Sequence, residues 1–152
     1  MSHDTPFWQM VRGERPLCPM ETLLRWQFEH FDAERKLLRV SYLLDDRFTN
    51  PIGTLHGGAI AAMLDNIIGP LVVAHLAADQ FAPTLELKSS FLRSARPGRF
   101  VGEGQLLKLG RQFAFSEARL MDTEGQLIAT ASATSAIQQR HMPSPSAHFA
   151  QE

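Results

Sequence analysis

The sequence predicts an α+β domain in which one antiparallel sheet of about six strands wraps around one long central helix. Two observations carry this reading. Apolar residues recur at every second position in six separate segments, and one segment near the middle is apolar on almost every side. A helix packed on an open sheet face would keep one polar side, which this segment hardly has. No segment repeats, and nothing in the chain marks a second domain.

Phe7, Trp8 and Val11 are spaced for a short N-terminal helix that pins an apolar edge to the body before Gly13 and Pro16 stop it. Over residues 22–31, Leu24, Trp26 and Phe28 alternate with Arg25, Gln27 and Glu29, as in a half-buried strand. A turn at residues 32–34 leads into Leu38, Val40, Tyr42 and Leu44 on one face with Arg39 and Ser41 on the other, which completes a hairpin. The loop that follows is punctuated by Asn50-Pro51 and Gly53. The helix then runs through Ile60, Met63, Leu64, Ile67, Ile68, Leu71 and Val72, with Pro70 expected to kink or weaken it.

Past Ala77 the period returns to two, in the segments of Leu85, Leu87 and Phe91, then 101–109, 113–121 and 127–137. Pro97-Gly98, Gly110 and the 122–125 turn separate them, so this half reads as an antiparallel meander. Ala129, Ala131, Ala133 and Ala136 predict a close approach of the last strand, to the helix. The expected organisation is an N-terminal helix and loop over residues 1–20, a single domain over 21–138, and a disordered tail over 139–152, where prolines, serines and histidines leave little to pack.

At 152 residues the chain suits one domain. Its 15 basic and 16 acidic residues give no global field to attract nucleic acid or an anionic membrane. Cys18 is the only cysteine, which excludes an intrachain disulfide and a zinc site of paired cysteines, and fits a reducing cytoplasmic setting. The apolar run 59–78 has the length of a membrane span, but Asp65, Asn66 and His75 interrupt it, and it reads as a buried helix. No histidine pair has helical ligand spacing, and there is neither a Gly-x-Ser-x-Gly elbow nor a phosphate loop with its lysine, so no metal or nucleotide cofactor is expected.

The segment with most chemical content is Asn50-Pro51-Ile52-Gly53-Thr54-Leu55-His56-Gly57-Gly58, with Asp65 inside the helix it opens. Two glycines at a helix start leave its first N–H groups unshielded, and those groups have no intrahelical acceptor. Together with the positive end of the helix dipole they can hold a developing oxyanion, although a Gly-Gly also serves backbone geometry. An aspartate on an apolar helix must be hydrogen-bonded or face a cleft to offset its desolvation. It can act as general base toward water, as nucleophile toward a carbonyl carbon, or as a paired structural group. Residues 57 and 65 lie about 12 Å apart along one helix, so a joint role on one carbonyl requires two copies of the helix and predicts a homodimer with sites at its interface.

This segment resembles the signature of the PaaI-like hotdog-fold thioesterases, which is Asn, then Gly, then His-Gly-Gly, then an Asp within the helix. The match is in register at Asn50, Gly53, His56, Gly57, Gly58 and Asp65, and it extends over residues 21–137 through the Pro-Thr-Leu-Glu-Leu stretch and residues 91–98. The resemblance implies a hotdog fold and hydrolysis of an acyl-CoA, with CoA as part of the substrate. It implies Asp65 as base or nucleophile, the Gly57 amide of the other subunit as the group that polarises the carbonyl, and Asn50 and His56 as orienting groups. Thr84 falls where the family places a Ser or Thr that holds the attacking water. Asn50, His56 and Thr84 also have ordinary uses as turn, cap and strand residues. The phosphates of CoA call for cations near the cleft, for which Arg93, Arg96, Lys108 and Arg111 are candidates beside Gly58.

Two other readings fit the same scaffold. A hotdog hydratase or dehydratase is echoed by Asn50-Pro51-Ile52, but Gly53 stands where its histidine belongs. A non-catalytic acyl-CoA sensor usually carries a DNA-binding segment, and the stretch before Thr22 is too short for one. The acyl group, and the choice between a homodimer and a homotetramer built as a dimer of dimers, are left open.

Overall fold

The protein is described by a computed structural model over residues 5–139. Two short helices come first, α1 (Pro6–Val11) and α2 (Pro19–Leu23). The expected helix at Phe7 is α1: Phe7 is buried, and Trp8 stands edge-on to Phe31 with ring centroids 5.1 Å apart. Helix α2 corrects the reading of residues 22–31 as one strand. Pro19 opens it, and the Glu21 carboxylate accepts the Cys18 N–H at 2.8 Å. It closes with Trp26 N–H on the Glu21 carbonyl and Arg25 N–H on that of Thr22, and Arg25 takes the left-handed φ of 51°. Leu24 and Trp26 are buried as the alternation suggested, but the strand β1 (Gln27–Asp32) begins only after this cap. The expected boundary between residues 20 and 21 thus falls inside α2.

Strand β2 (Leu37–Leu44) buries Leu38, Val40, Tyr42 and Leu44 on one face. A 3-10 turn (Asp46–Phe48) and an irregular loop lead to α3 (Gly57–Val73), followed by a two-residue strand β3 (Gln80–Phe81). Then come β4 (Thr84–Phe91), β5 (Gly98–Leu109), β6 (Phe113–Asp122), β7 (Leu127–Ala136) and β8 (Gln138–Gln139). The main sheet among the described residues has six strands in the order β1-β2-β5-β6-β7-β4, and every neighbouring pair is antiparallel. This is the wrapped sheet the periodicity predicts. The meander holds only for β5, β6 and β7. Strand β2 occupies the free side of β5 over eight residues, from Leu37↔Gln105 to Leu44↔Gly98, so β4 closes instead on the far side of β7. The expected tail boundary also moves, because Gln138 and Gln139 pair with Phe81 and Gln80. Residues 140–152 lie outside the described residues.

Helix α3 seals Ile60, Met63, Leu64, Ile67, Ile68, Leu71 and Val72 against the sheet. It runs unbroken through Pro70 and ends three residues later, where His75 Nδ1 sits 2.9 Å from the Leu71 carbonyl. The buried Tyr42 hydroxyl donates to the Met63 carbonyl at 3.0 Å and ties β2 to the middle of the helix. The alanines of β7 do pack inward at 129, 131 and 133. The approach that excludes any side chain, however, is on β5: a Cβ at Gly102 would stand 2.5 Å from Ile67, and one at Gly104 2.8 Å from it.

Candidate active site

The loop before α3 is held by Asn50. Its Oδ1 accepts the N–H groups of Ile52 and Thr54, its Nδ2 donates to Thr54 Oγ1 at 2.8 Å, and Gly53 turns the chain at a φ of 78°. The side chain of Asn50 is therefore occupied within its own turn and sets the entry angle of the helix. Leu55 N–H then bonds the Ala95 carbonyl at 2.8 Å and His56 N–H that of Phe48, which anchors the helix start to the β4–β5 connection.

His56 is the N-cap of α3, and its Nδ1 accepts the Gly58 N–H at 2.9 Å. That bond requires Nδ1 to be unprotonated, so the neutral ring carries its proton on Nε2, as a donor on an exposed side chain. Ala59 and Ile60 bond the His56 carbonyl, and only the Gly57 N–H of the first turn has no partner among the described residues. Gly58 needs to be glycine for the cap itself, since a Cβ there would come 3.0 Å from the His56 ring. A Cβ at Gly57 would meet the Phe91 ring at 3.6 Å, so an aromatic side chain from β4 stands beside this glycine. The sequence reading missed Phe91, which looks like any other apolar strand residue.

Asp65 stands two turns further on, exposed rather than buried. The helix is enclosed on most sides, as its apolar run predicts, and Asp65 lies on the side left open. The arc of Gly58, Ala62, Asp65 and Gly69 projects past β4, the sheet edge, and the sheet covers only the opposite side. The Thr84 hydroxyl donates to Asp65 Oδ1 at 2.9 Å, leaving Oδ2 toward a shallow hollow of about 420 Å³ lined by Gly58, Ala61, Ala62 and residues 84–87. Behind the helix, the Tyr42 hydroxyl is pushed well above its ordinary range, first by burial and then by the negative charges of Glu21 and Asp65. Among the described residues no three His, Cys, Asp or Glu side chains converge to hold a metal ion, and no helix is long and apolar enough to cross a membrane.

The cationic candidates divide. Arg93 and Arg96 share a cleft of about 440 Å³ with Arg99, which the sequence reading passed over, and with Asp122 and Glu124. This cleft adjoins Ala95 and hence the start of α3. Lys108 and Arg111 lie at the other end of β5, roughly 30 Å along the strand at its usual rise. Within one protomer the two groups cannot hold the same phosphate.

A sheet wrapped on a single helix, with an unengaged amide at the helix start and a carboxylate on its open side, defines a hotdog-fold protein equipped for carbonyl chemistry. Residues 52–129 match the thioesterase superfamily, and the chain belongs to that family. It is 30% identical over 111 residues to the 1,4-dihydroxy-2-naphthoyl-CoA hydrolase of Escherichia coli K12, covering 73% of this chain and 80% of that one. It is 33% identical over 90 residues to human acyl-coenzyme A thioesterase 13, covering 57% and 62%. A solved structure of a phenylacetic acid degradation-related protein from Ralstonia eutropha JMP134 superposes with a TM-score of 0.83 at 36% identity, covering 86% of this chain and 98% of that one.

Proposed function

We propose that the protein hydrolyses an acyl-CoA to CoA and a carboxylic acid, in a site completed by two copies of the chain. The observation that carries this is the pairing of one unengaged amide, Gly57 N–H, with one exposed and oriented carboxylate, Asp65, eight residues apart on an unbroken helix. At 1.5 Å per residue the two are about 12 Å apart and serve one carbonyl only if they come from different protomers. Relatives of the chain hydrolyse CoA thioesters, as their names state. The edge strand β4, with Leu85 and Phe91 exposed and Leu92 exposed just past its end, lies beside the open arc of α3 and is the surface on which a second copy would close.

In this reading the thioester oxygen lies on Gly57 N–H of one protomer, with His56 Nε2–H beside it. Asp65 Oδ2 of the other protomer takes a proton from water, and the water oxygen attacks the carbonyl carbon. The negative charge that builds on the oxygen is met by the amide at the positive helix end. Collapse of the tetrahedral intermediate breaks the carbon–sulfur bond and releases CoA as its thiolate, which picks up a proton from solvent. Thr84 fixes Asp65 through Oδ1 and accepts a hydrogen bond from the water. Asp65 attacking the carbonyl itself, through an anhydride that water then opens, uses the same geometry. Arg93 and Arg96, joined by Arg99, meet the phosphates of CoA near the helix start. The chemistry asks for no further cofactor.

The test is subunit complementation. Gly57→Pro deletes the N–H at a helix position where proline is tolerated, and His56 already has the extended φ of −64° and ψ of 136° that a following proline demands. Alone, Gly57→Pro and Asp65→Asn are each expected to lose about a hundredfold in turnover. After mixed refolding, about a quarter of wild-type activity returns, because half the dimers are mixed and each of those keeps one intact site. Absence of any recovery would place both groups in one protomer's site and end the reading.

A further inference from the structure

His75 has no part in the proposed reaction, yet its ring is engaged at one nitrogen and sealed at the other. Nδ1 lies 2.9 Å from the Leu71 carbonyl, which can only accept, so this nitrogen carries the proton of the neutral ring. Nε2 is buried and has no hydrogen-bond partner among the described residues. A second proton would sit there on an N–H without an acceptor, in a ring cut off from water at that end. The folded surroundings accept the neutral form.

The cover over this ring is aromatic. Phe31 of the edge strand β1 stands against His75 with centroids 5.1 Å apart, and Trp8 of α1 stands edge-on to Phe31 at 5.1 Å and to Phe28 at 6.3 Å. A swing of Phe31 that lets water reach His75 therefore disturbs the seat of Trp8. Helix α1 depends on that seat for its shape. It has six residues, its N-cap Thr5 makes no side-chain cap bond, and neither end carries a charge that complements the helix dipole. Nor does it hold a titratable side chain of its own between Pro6 and Val11. Around the imidazole, Lys36 is the charge that acts on it, while Glu29 of β1 is engaged by Arg39 and Asp32 by Arg35.

We propose that His75 and the stack of Phe31 and Trp8 form an acid-released clasp, in which uptake of a second proton on Nε2 moves Phe31 and detaches α1 from the body while the six-stranded sheet and α3 stay folded. Burial holds the pKa of the clasped ring below the ordinary 6.5, the Leu71 carbonyl pulls the other way, and Lys36 adds to the effect of burial. The released ring is in water and titrates in the ordinary range. The released state thus binds the proton more readily, so its population grows as pH falls below 6.5, by at most about tenfold per unit, until the clasped ring is itself protonated. Phe7 and Met10 of α1 line a hollow of about 450 Å³ with Pro70 and Val73 of α3, so release bares the apolar end of that helix. The clasp does not depend on the thioesterase reading.

Amide hydrogen exchange on the full chain tests this, with each rate divided by the intrinsic rate at its own pH. The informative amides are those of Gln9, Arg12, Gly13 and Glu14, which bond inside the N-terminal segment. In wild type their protection should fall about threefold or more between pH 7 and pH 5.5. Residues 60–72 of α3 should stay at least about a hundredfold better protected at both pH values, because they exchange through global unfolding. His75→Phe keeps a ring under Phe31 and removes the titration, so the protection of the four amides should be equal at the two pH values within about 1.5-fold. His75→Gln, which also does not titrate, must behave in the same way if His75→Phe does not fold. The proposal is overturned if wild type shows no pH response, if the folded non-titrating variant retains it, or if the four amides are protected as strongly as those of α3, since α1 would then have no release of its own.

Discussion

Leu64 and Asp65 are neighbours in α3, yet one is sealed against the sheet and the other stands in an open hollow beside Thr84. The helix turns about 100° per residue, so consecutive positions can serve opposite ends. On the inner side Ile67 and Leu71 fit over Gly102 and Gly104 so closely that a methyl group would not enter. On the outer side Gly58, Ala62 and Gly69 leave room. Density holds the helix still; vacancy beside it admits a reactant. The same division appears in the polar groups, because Tyr42 spends its hydroxyl on fixing the helix, while Thr84 spends its own on aiming a carboxylate.

The contrast predicts opposite outcomes for adjacent substitutions. Leu64→Ala opens a cavity in the dense side and should cost about 2–5 kcal/mol in urea unfolding, while activity per folded molecule stays within about twofold. An unchanged unfolding midpoint would mean that the inner side is not the core. Asp65→Asn keeps the shape and removes the charge, so turnover should fall about a hundredfold or more while stability shifts by less than about 1 kcal/mol. Comparable losses in stability and turnover would blur the two sides into one.

Thr84→Val sharpens the outer side. Losing the 2.9 Å bond to Asp65 should lower kcat about tenfold with little change in KM, since the carboxylate remains but is no longer aimed. A rise in KM alone would make Thr84 a wall of the binding site.

The smallest effect belongs to His75, at the end of α3 against Phe31, with ring centroids 5.1 Å apart. Burial lowers its pKa from the ordinary 6.5, the Leu71 carbonyl opposes this, and Lys36 adds to it. As pH falls, the unfolded chain therefore takes up this proton before the folded one does. The stability contribution is complete above pH 6.5 and declines as pH drops from there toward the folded value. Urea midpoints between pH 5.5 and 7.5 should show this slope, and His75→Phe should flatten it. A slope untouched by the substitution would assign it to other groups.

Much of this was legible in the chain. Strands β2, β5, β6 and β7 and helix α3 lie where alternation and apolar runs put them, since each buries one face or nearly all faces and the pattern follows from that burial. The first strand was misplaced because Leu24 and Trp26 are buried on opposite sides of a helix cap, and burial every second residue is indistinguishable there from a strand. The signals against it were Pro19 and Glu21, spaced for a helix start. Among the candidate site residues, the structure brings Thr84 onto Asp65 and leaves Gly57 N–H without a partner among the described residues. It occupies the side chain of Asn50 within a turn, and it separates Lys108 and Arg111 from Arg93 and Arg96.

The residue pattern alone determined that one apolar helix would be wrapped by antiparallel strands, and that an acid and a pair of glycines would share that helix, because hydrophobic periodicity and helical rise are properties of the chain itself. Strand order was decided only in the folded molecule: β2 claimed the side of β5 that β4 would otherwise have taken, and sheet pairing is a competition between segments far apart in sequence. That order made β4 an edge, left one arc of α3 uncovered and exposed Asp65 on it. Exposure depends on what packs opposite a residue, which no local pattern records.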